Sequence, residues 1–515
     1  MRSSIACEAW GPIAAFVREN RVFFSVLALA LAYFRFSQRW IYPEYDTLPC
    51  AKHLMDPGWL SGDWYLGLGI SYRYLFDVVF GLLARAMSLH AVGVVGRFVI
   101  EALFAWLVQR VARVVGVRAR FAVLVAASYL WLGQSFAHTE KMIHGVSTKS
   151  FAYFCAASSL LALVRRRHRA MYVWAGLAVS FHVLIGLDSL LCLAVAAIAQ
   201  GEWRSAELRR SLRSAWTFFA AGSLGLYAVA VELVDNRGVD RLRASLIYVT
   251  FRVPHHTHPA YFEEPRWAAP FVLACALLAV TLARAKTRES RLLVSYALGT
   301  AGLFGVGLAL YAAGALHLLK YYWFRLGDVT VPFAALFTVF ALADRARLPD
   351  RARARWSSAA AVAACAAIAV SVVRWVHPAS AAGPKAEEES AFRDVTRWIR
   401  ENTPADATFL INPYTREFYL EAERAQFVSF PHSPQSERDI LAWYERMRAC
   451  NGGASPSGVG FLADAEVSAR FYALDAGAIR RIGREYGVGY YLGKPARSDL
   501  PELYRNAGYA LYRID

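Results

Sequence analysis

A series of apolar runs constrains this chain more than any other feature. They lie near 22–37, 91–110, 121–134, 150–164, 170–184, 187–200, 214–233, 267–283, 292–313, 323–343 and 357–376. A run of about 17–25 apolar residues can cross a bilayer as a helix. The series predicts an α-helical polytopic membrane bundle of about eleven transmembrane helices, the shorter ones tilted or partly re-entrant. Composition agrees: 57% of the 515 residues are hydrophobic and 19% charged, against roughly 45–50% and about 25% in soluble domains. Seven cysteines are too few for a disulfide scaffold of this length, and the apolar content excludes disorder.

The net charge of +17 is unevenly placed: residues 385–515 hold 17 Lys/Arg and 19 Asp/Glu, so +19 falls on the first 384 residues. The basic clusters follow alternate runs: Arg110–Arg120, Arg165–Arg169, Arg204–Arg213, Arg284–Arg291 and Arg345–Arg355. That is the positive-inside pattern, and it requires no nucleic-acid partner. It predicts a cytoplasmic N-terminus with no cleavable signal. The outer face then holds 38–90, 134–149, 234–266, 314–322 and everything after 377. Residues 66–88 are ambiguous, because counting them as a span would reverse every later loop. They read instead as an amphipathic helix at the outer interface, with Arg73, Asp77 and Arg85 on its polar side. Trp40, Trp59, Trp64, Trp267 and Trp323 fall near outer span ends, as interfacial aromatics do.

Composition changes near residue 384, which predicts a transmembrane domain over 1–384 and a small α/β domain over 385–515. The second reads as helix 387–402, strands 407–412 and 426–430, helices 436–449 and 466–486, strand 488–492, a short helix near 499–506 and a last strand 508–514. Cys50 and Cys450 both fall on the outer side, where a disulfide is permitted.

Four outer loops concentrate polar residues. Glu44 and Asp46 stand just outside the first span, where a carboxylate can act as a general base. His138, Lys141 and His144 recur at helical spacing, as an anion-binding stripe or a wet interfacial helix would. Arg252 precedes His255, His256 and His258. Pro254 and Pro259 should hold that segment extended with its imidazoles apart, so sugar or phosphate contacts suit it better than a metal. Lys320 and Arg325 open the tenth span, against positive-inside statistics, and could grip a lipid phosphate; a buried Arg325–Asp328 pair is the alternative. His182 should line the bundle interior, and Arg97 and Glu101 should pair along one helix.

This layout resembles the GT-C superfamily of polyprenyl-phosphate-sugar glycosyltransferases, in poorly characterised bacterial branches. The residues that carry the likeness are Asp46 in the first outer loop, Arg97 opening a span, Phe181-His182, Arg252–His256, and Trp398–Pro404 introducing the last domain. The resemblance implies a bacterial inner-membrane enzyme with a periplasmic C-terminal domain. It would move a sugar from a polyprenyl-phosphate lipid to a glycan, lipid or protein acceptor at the periplasmic face, with inversion. Asp46 would be the base, with Glu44 as its rival, and Lys320 and Arg325 would hold the phosphate. It implies no cofactor and no metal. The Lys-Pro-Pro motif of lipid A aminoarabinose transferase-type members is absent. A non-catalytic transporter or assembly factor with the same fold is the other class.

Overall fold

The computed structural model describes residues 15–33, 40–69, 72–204, 206–345, 384–495 and 499–514. Counting helices of nine residues or more, the first part contains α1 (Arg21–Tyr33), α2 (Glu44–Met55), α3 (Tyr74–Ala86), α4 (Leu89–Val115), α5 (Ala119–Trp131) and α6 (Thr148–Val164). It continues with α7 (His168–Phe181), α8 (Val183–Ala199), α9 (Trp216–Asp235), α10 (Ala268–Arg284), α11 (Arg288–Ala312) and α12 (Arg325–Arg345). Ten of the apolar runs coincide with helices; the run at 357–376 lies outside the described residues. Among those described, α4, α9, α11 and α12 are long and apolar enough to cross a membrane, and the protein is membrane-embedded.

Local chemistry sets the helix ends. Ser88 caps α4 by accepting from Ala91 N–H, and Gly116 ends it at φ +76°, a left-handed geometry that suits glycine. The bundle core runs through Phe104, Tyr129, Leu161, Leu193 and Leu326. Within it the Tyr129 hydroxyl donates to the Val329 carbonyl at 3.2 Å.

Two outer segments differ from expectation. Residues 74–86 are helical, but Arg73 and Asp77 are buried and paired at 3.3 Å. The polar side of α3 therefore faces the protein, and Gly81 lets α3 approach α2 so closely that a Cβ would lie 2.2 Å from the Ala51 carbonyl. Trp40 and Trp59 donate to Glu421 and Glu423, each at 3.1 Å, and Arg446 stacks on Trp64. These indoles hold the C-terminal part rather than mark a lipid interface.

That part contains α13 (Pro384–Asn402), α14 (Glu437–Cys450), α15 (Asp464–Tyr472) and α16 (Ala476–Tyr486). Its sheet of β1 (Thr408–Leu410), β2 (Ala425–Gln426), β3 (Tyr490–Gly493), β4 (Glu502–Arg505) and β5 (Ala510–Arg513) has the order β2-β1-β3-β5-β4. β1 pairs in parallel with β2 and β3; β5 pairs antiparallel with β3 and β4. Residues 502–505 are thus an edge strand where a helix is expected, because pairing with β5 outweighs the helical reading of Pro501-Glu502. The 466–486 helix is broken at Asp475, which caps α16. Cys50 and Cys450 are free thiols: Cys50 packs beside Leu60 and Tyr419, and Cys450 lies in the core with Trp443 and Met447.

Candidate functional site

A cavity of about 740 Å³ opens where α2, the 147–149 turn, the α7–α8 break, α9, the 241–256 segment and the start of α12 meet the 431–440 stretch of the C-terminal part. Asp46, Arg252, Lys320, Arg325, His182 and His256 all line it. Polar side chains make up much of its lining, and Leu184 and Leu187 of α8 with Val229 and Leu233 of α9 add an apolar stretch that also carries Glu232. Leu187 and Leu233 also present large exposed faces on the outside of the bundle. The cavity therefore joins a charged chamber to an apolar flank.

Asp46 sits in the first turn of α2, its side chain 15% exposed. Burial raises its carboxyl to about 6, against the pull of Arg252, Arg73, Arg416 and Lys149. Its Oδ1 accepts no hydrogen bond among the described residues. Glu44, two residues earlier, is spoken for. It is 0% exposed, bonded to Arg97 Nε at 2.6 Å and Nη2 at 2.5 Å, and it accepts from the backbone N–H groups of Ile41 and Val146. Arg97 thus forms its ion pair with Glu44 across two helices, and Glu44 braces α2 against α4.

The cations differ in how far they are neutralised. Arg325 lies 2.6 Å from Glu140, stacks on Tyr322 and bonds His182 at 3.2 Å. Its expected partner Asp328 instead accepts from the backbone N–H groups of Phe136, Ala137 and Thr139 and from the Thr139 hydroxyl. Lys149 also binds Glu140, at 2.8 Å. Burial opposes ionisation of Glu140, yet Lys149 and Arg325 hold its carboxyl below the usual range. Lys320 is bonded to Glu437 of α14 at 2.5 Å. Arg252 is buried, donates to Ser433 Oγ at 2.9 Å and to the Pro431 carbonyl at 2.6 Å, and lies over the Phe430 ring. Among the described residues Arg252 forms no ion pair, and neither does Arg241, which also lines the cavity, so these two charges are not held by a carboxylate.

The histidines divide. The 247–257 segment is helical, not extended: a π-turn over Ile247–Arg252 runs into a helical turn over Pro254–Thr257. Proline at a first helical position is well tolerated, and His255 and His256 lie with ring centres 4.0 Å apart, tilted at 45°, instead of pointing away. His256 bonds the Thr139 carbonyl and reaches the cavity. His255 packs on Phe461, and burial lowers it to about 3. His258 packs on Tyr261 and Tyr311, away from the chamber. Residues 138–144 form no helix, and Asp328 holds the start of the stretch through the N–H groups of Phe136, Ala137 and Thr139. Lys141 is exposed, His138 has φ +56°, and His144 tilts on Tyr42. These three do not line the cavity.

Four contributors escaped sequence reading. Glu140 and Lys149 lay within loops where only the histidine spacing stood out. Arg73 faces the chamber from the segment expected to be an interfacial amphipathic helix with Arg73 on its polar side. His432 stands 3.9 Å from Asp46 Oδ1, from a part of the chain 386 residues away.

Residues 390–450 match the model of a domain of unknown function, DUF6798. No curated protein matches the chain. Among solved structures, ArnT from Cupriavidus metallidurans in the apo state is 12% identical at TM-score 0.52, with 99% of this chain and 98% of that one aligned. The arabinofuranosyltransferase AftD from Mycobacteria is 16% identical at TM-score 0.50, with 97% of this chain covering 40% of that one. Helix order, cavity and whole-length superposition together give the chain a GT-C-like fold.

Proposed function

We propose that the protein is an inverting membrane glycosyltransferase that moves a sugar from a polyprenyl-phosphate donor to an acceptor hydroxyl at the periplasmic face. The observation that carries this reading is the cavity itself, whose lining combines Asp46, Glu232 and Glu437 with several cations and an apolar stretch from α8 and α9. An amphipathic ligand with a phosphate between a lipid tail and a sugar suits that polarity. In the reaction, Asp46 takes the proton from the acceptor hydroxyl as that oxygen bonds to the anomeric carbon. The bond from the anomeric carbon to the phosphate oxygen breaks, and the electron pair leaves with the phosphate. Arg252, with Arg325 and Lys320, stabilises the charge that grows there, as preorganised cations do in a water-poor site. The fold shared with an arabinofuranosyltransferase supports transfer chemistry. In this reading the N-terminus is cytoplasmic, the apolar runs form about eleven spans in the bacterial inner membrane, and 385–515 is a periplasmic domain.

The test is envelope glycan and lipid profiling of a deletion strain, complemented by wild type or Asp46→Asn. A glycan lost on deletion, restored by wild type and not by Asp46→Asn at equal protein level, is the expected result. Equal restoration by both would remove Asp46 as base.

A further inference from the structure

The stretch between β2 and α14 is where the C-terminal part enters the chamber. Within it His432 is completely buried, with Tyr419 edge-on at 4.7 Å and Tyr65 at 5.5 Å. Its Nδ1 lies 2.8 Å from Ser429 Oγ and its Nε2 2.8 Å from the Tyr45 carbonyl oxygen. A carbonyl carries no proton, so Nε2 must be the N–H, and Nδ1 must accept from the serine hydroxyl. One tautomer is fixed from both sides. The Tyr45 carbonyl belongs to the peptide bond that leads into Asp46. The same Nε2–H therefore grips the backbone that carries the Asp46 carboxylate and turns its positive end toward Oδ1, 3.9 Å away.

We propose that His432, delivered by the C-terminal part, is a positioning residue for Asp46; this rests on the reading of Asp46 as the base. A neutral ring is what the task needs. An imidazolium at 3.9 Å would hold Asp46 ionised and make it a poor proton acceptor, and burial keeps His432 uncharged, its pKa lowered to about 3. The other groups facing Asp46 are Arg73, Lys149, Arg252 and Arg416, with the phenols of Tyr42, Tyr45 and Tyr65. The role also assigns work to the segment 390–450: it completes the chamber.

The experiment uses full-length protein in lipid nanodiscs. Protonated carboxyls are labelled with a carbodiimide and a nucleophilic amine across pH, and the Asp46 peptide is quantified by mass spectrometry. Loss of the N–H dipole makes the carboxylate less stable, so in His432→Phe the labelling midpoint of Asp46 should move up in pH from the wild-type value. His432→Gln keeps an N–H and should restore most of the wild-type midpoint. Ser429→Ala leaves the ring in place but frees its tautomer; it should move the midpoint in the same direction by less, and it serves if His432→Phe does not fold. Turnover of a synthetic polyprenyl-phosphate sugar should fall in His432→Phe by about 10²-fold, the cost of a misplacement of about 1 Å, with donor KM unchanged. Midpoints equal to wild type in His432→Phe, or in Ser429→Ala where only that variant folds, would overturn the positioning role. Shifted midpoints in the variants, together with a wild-type protein that turns over no donor, would instead count against the transferase reading.

Discussion

Glu44→Ala separates the two carboxylates that stand two residues apart. Glu44 and Arg97 are 0% and 2% exposed in their side chains and 2.5 Å apart. Glu44 also accepts from Ile41 N–H and Val146 N–H, so it ties α2, α4 and the 140–147 loop to one point. Removing one partner of a buried pair strands the other charge and costs about 3–5 kcal/mol. At about 1.4 kcal/mol per tenfold, the unfolding equilibrium should move by a factor on the order of a hundred to a few thousand. The assay is unfolding of the purified protein in mixed micelles by SDS, followed by tryptophan fluorescence. Glu44→Leu with Arg97→Met removes both charges and should recover much of the loss, since an apolar pair of similar volume is often neutral. Asp46→Asn should leave the transition within about 1 kcal/mol of wild type, the usual scale for a site outside such a network. A Glu44→Ala protein as stable as wild type would refute the brace and return Glu44 to the list of candidate bases.

The pH dependence of transfer follows from the same contrast. Asp46 acts as a base only when ionised, and its carboxyl sits at about 6, so kcat/KM should fall as pH drops through about 6; a profile flat from pH 5 to 8 would contradict it. Arg252→Met should weaken binding of undecaprenyl phosphate more than Lys320→Ala, because Lys320 is already held by Glu437; microscale affinity measurements in nanodiscs read this, and the opposite order would reverse the assignment. Asp328→Ala leaves the 136–139 N–H groups unpaired and should destabilise by about 1–3 kcal/mol or more, seen as earlier proteolysis near His138. The isolated 385–515 fragment should fold, but with a lower melting temperature than that part has in the intact chain. It lacks Phe251, which sits in the same core as Phe430 and Trp443, and burial of a phenylalanine is worth about 3–5 kcal/mol on deletion.

Much of the bundle was legible because apolar runs and basic loops are properties of the chain in one dimension. The helices near 91–110, 292–313 and 323–343 appear where hydropathy places them. Asp46, Arg252, Lys320 and Arg325 were legible as charged residues at span ends, and they do share one chamber. What failed needed a partner distant in sequence. Nothing within α4 says that Arg97 reaches Glu44, or that Asp328 captures a loop 190 residues earlier while Arg325 turns to Glu140. Pro254 and Pro259 signal an extended segment locally, yet burial of Val249, Phe251 and Val253 favours a coiled backbone whose N–H groups are satisfied within the turn. Strand β4 exists only because β5 is beside it. His432 lay in a Pro-His-Ser-Pro sequence with no local signature, and its meaning comes from the Tyr45 carbonyl it meets.

The most direct test of a lipid-phosphate-dependent transfer with Asp46 as base is a paired measurement on wild type and Asp46→Asn in nanodiscs. Undecaprenyl phosphate binding is measured in one arm. In the other, release of polyprenyl phosphate from synthetic polyprenyl-phosphate sugars is followed by mass spectrometry, with envelope extract supplying the acceptor. The account predicts equal binding by both proteins, and release by wild type alone. Binding by neither, or equal release by both, would contradict it.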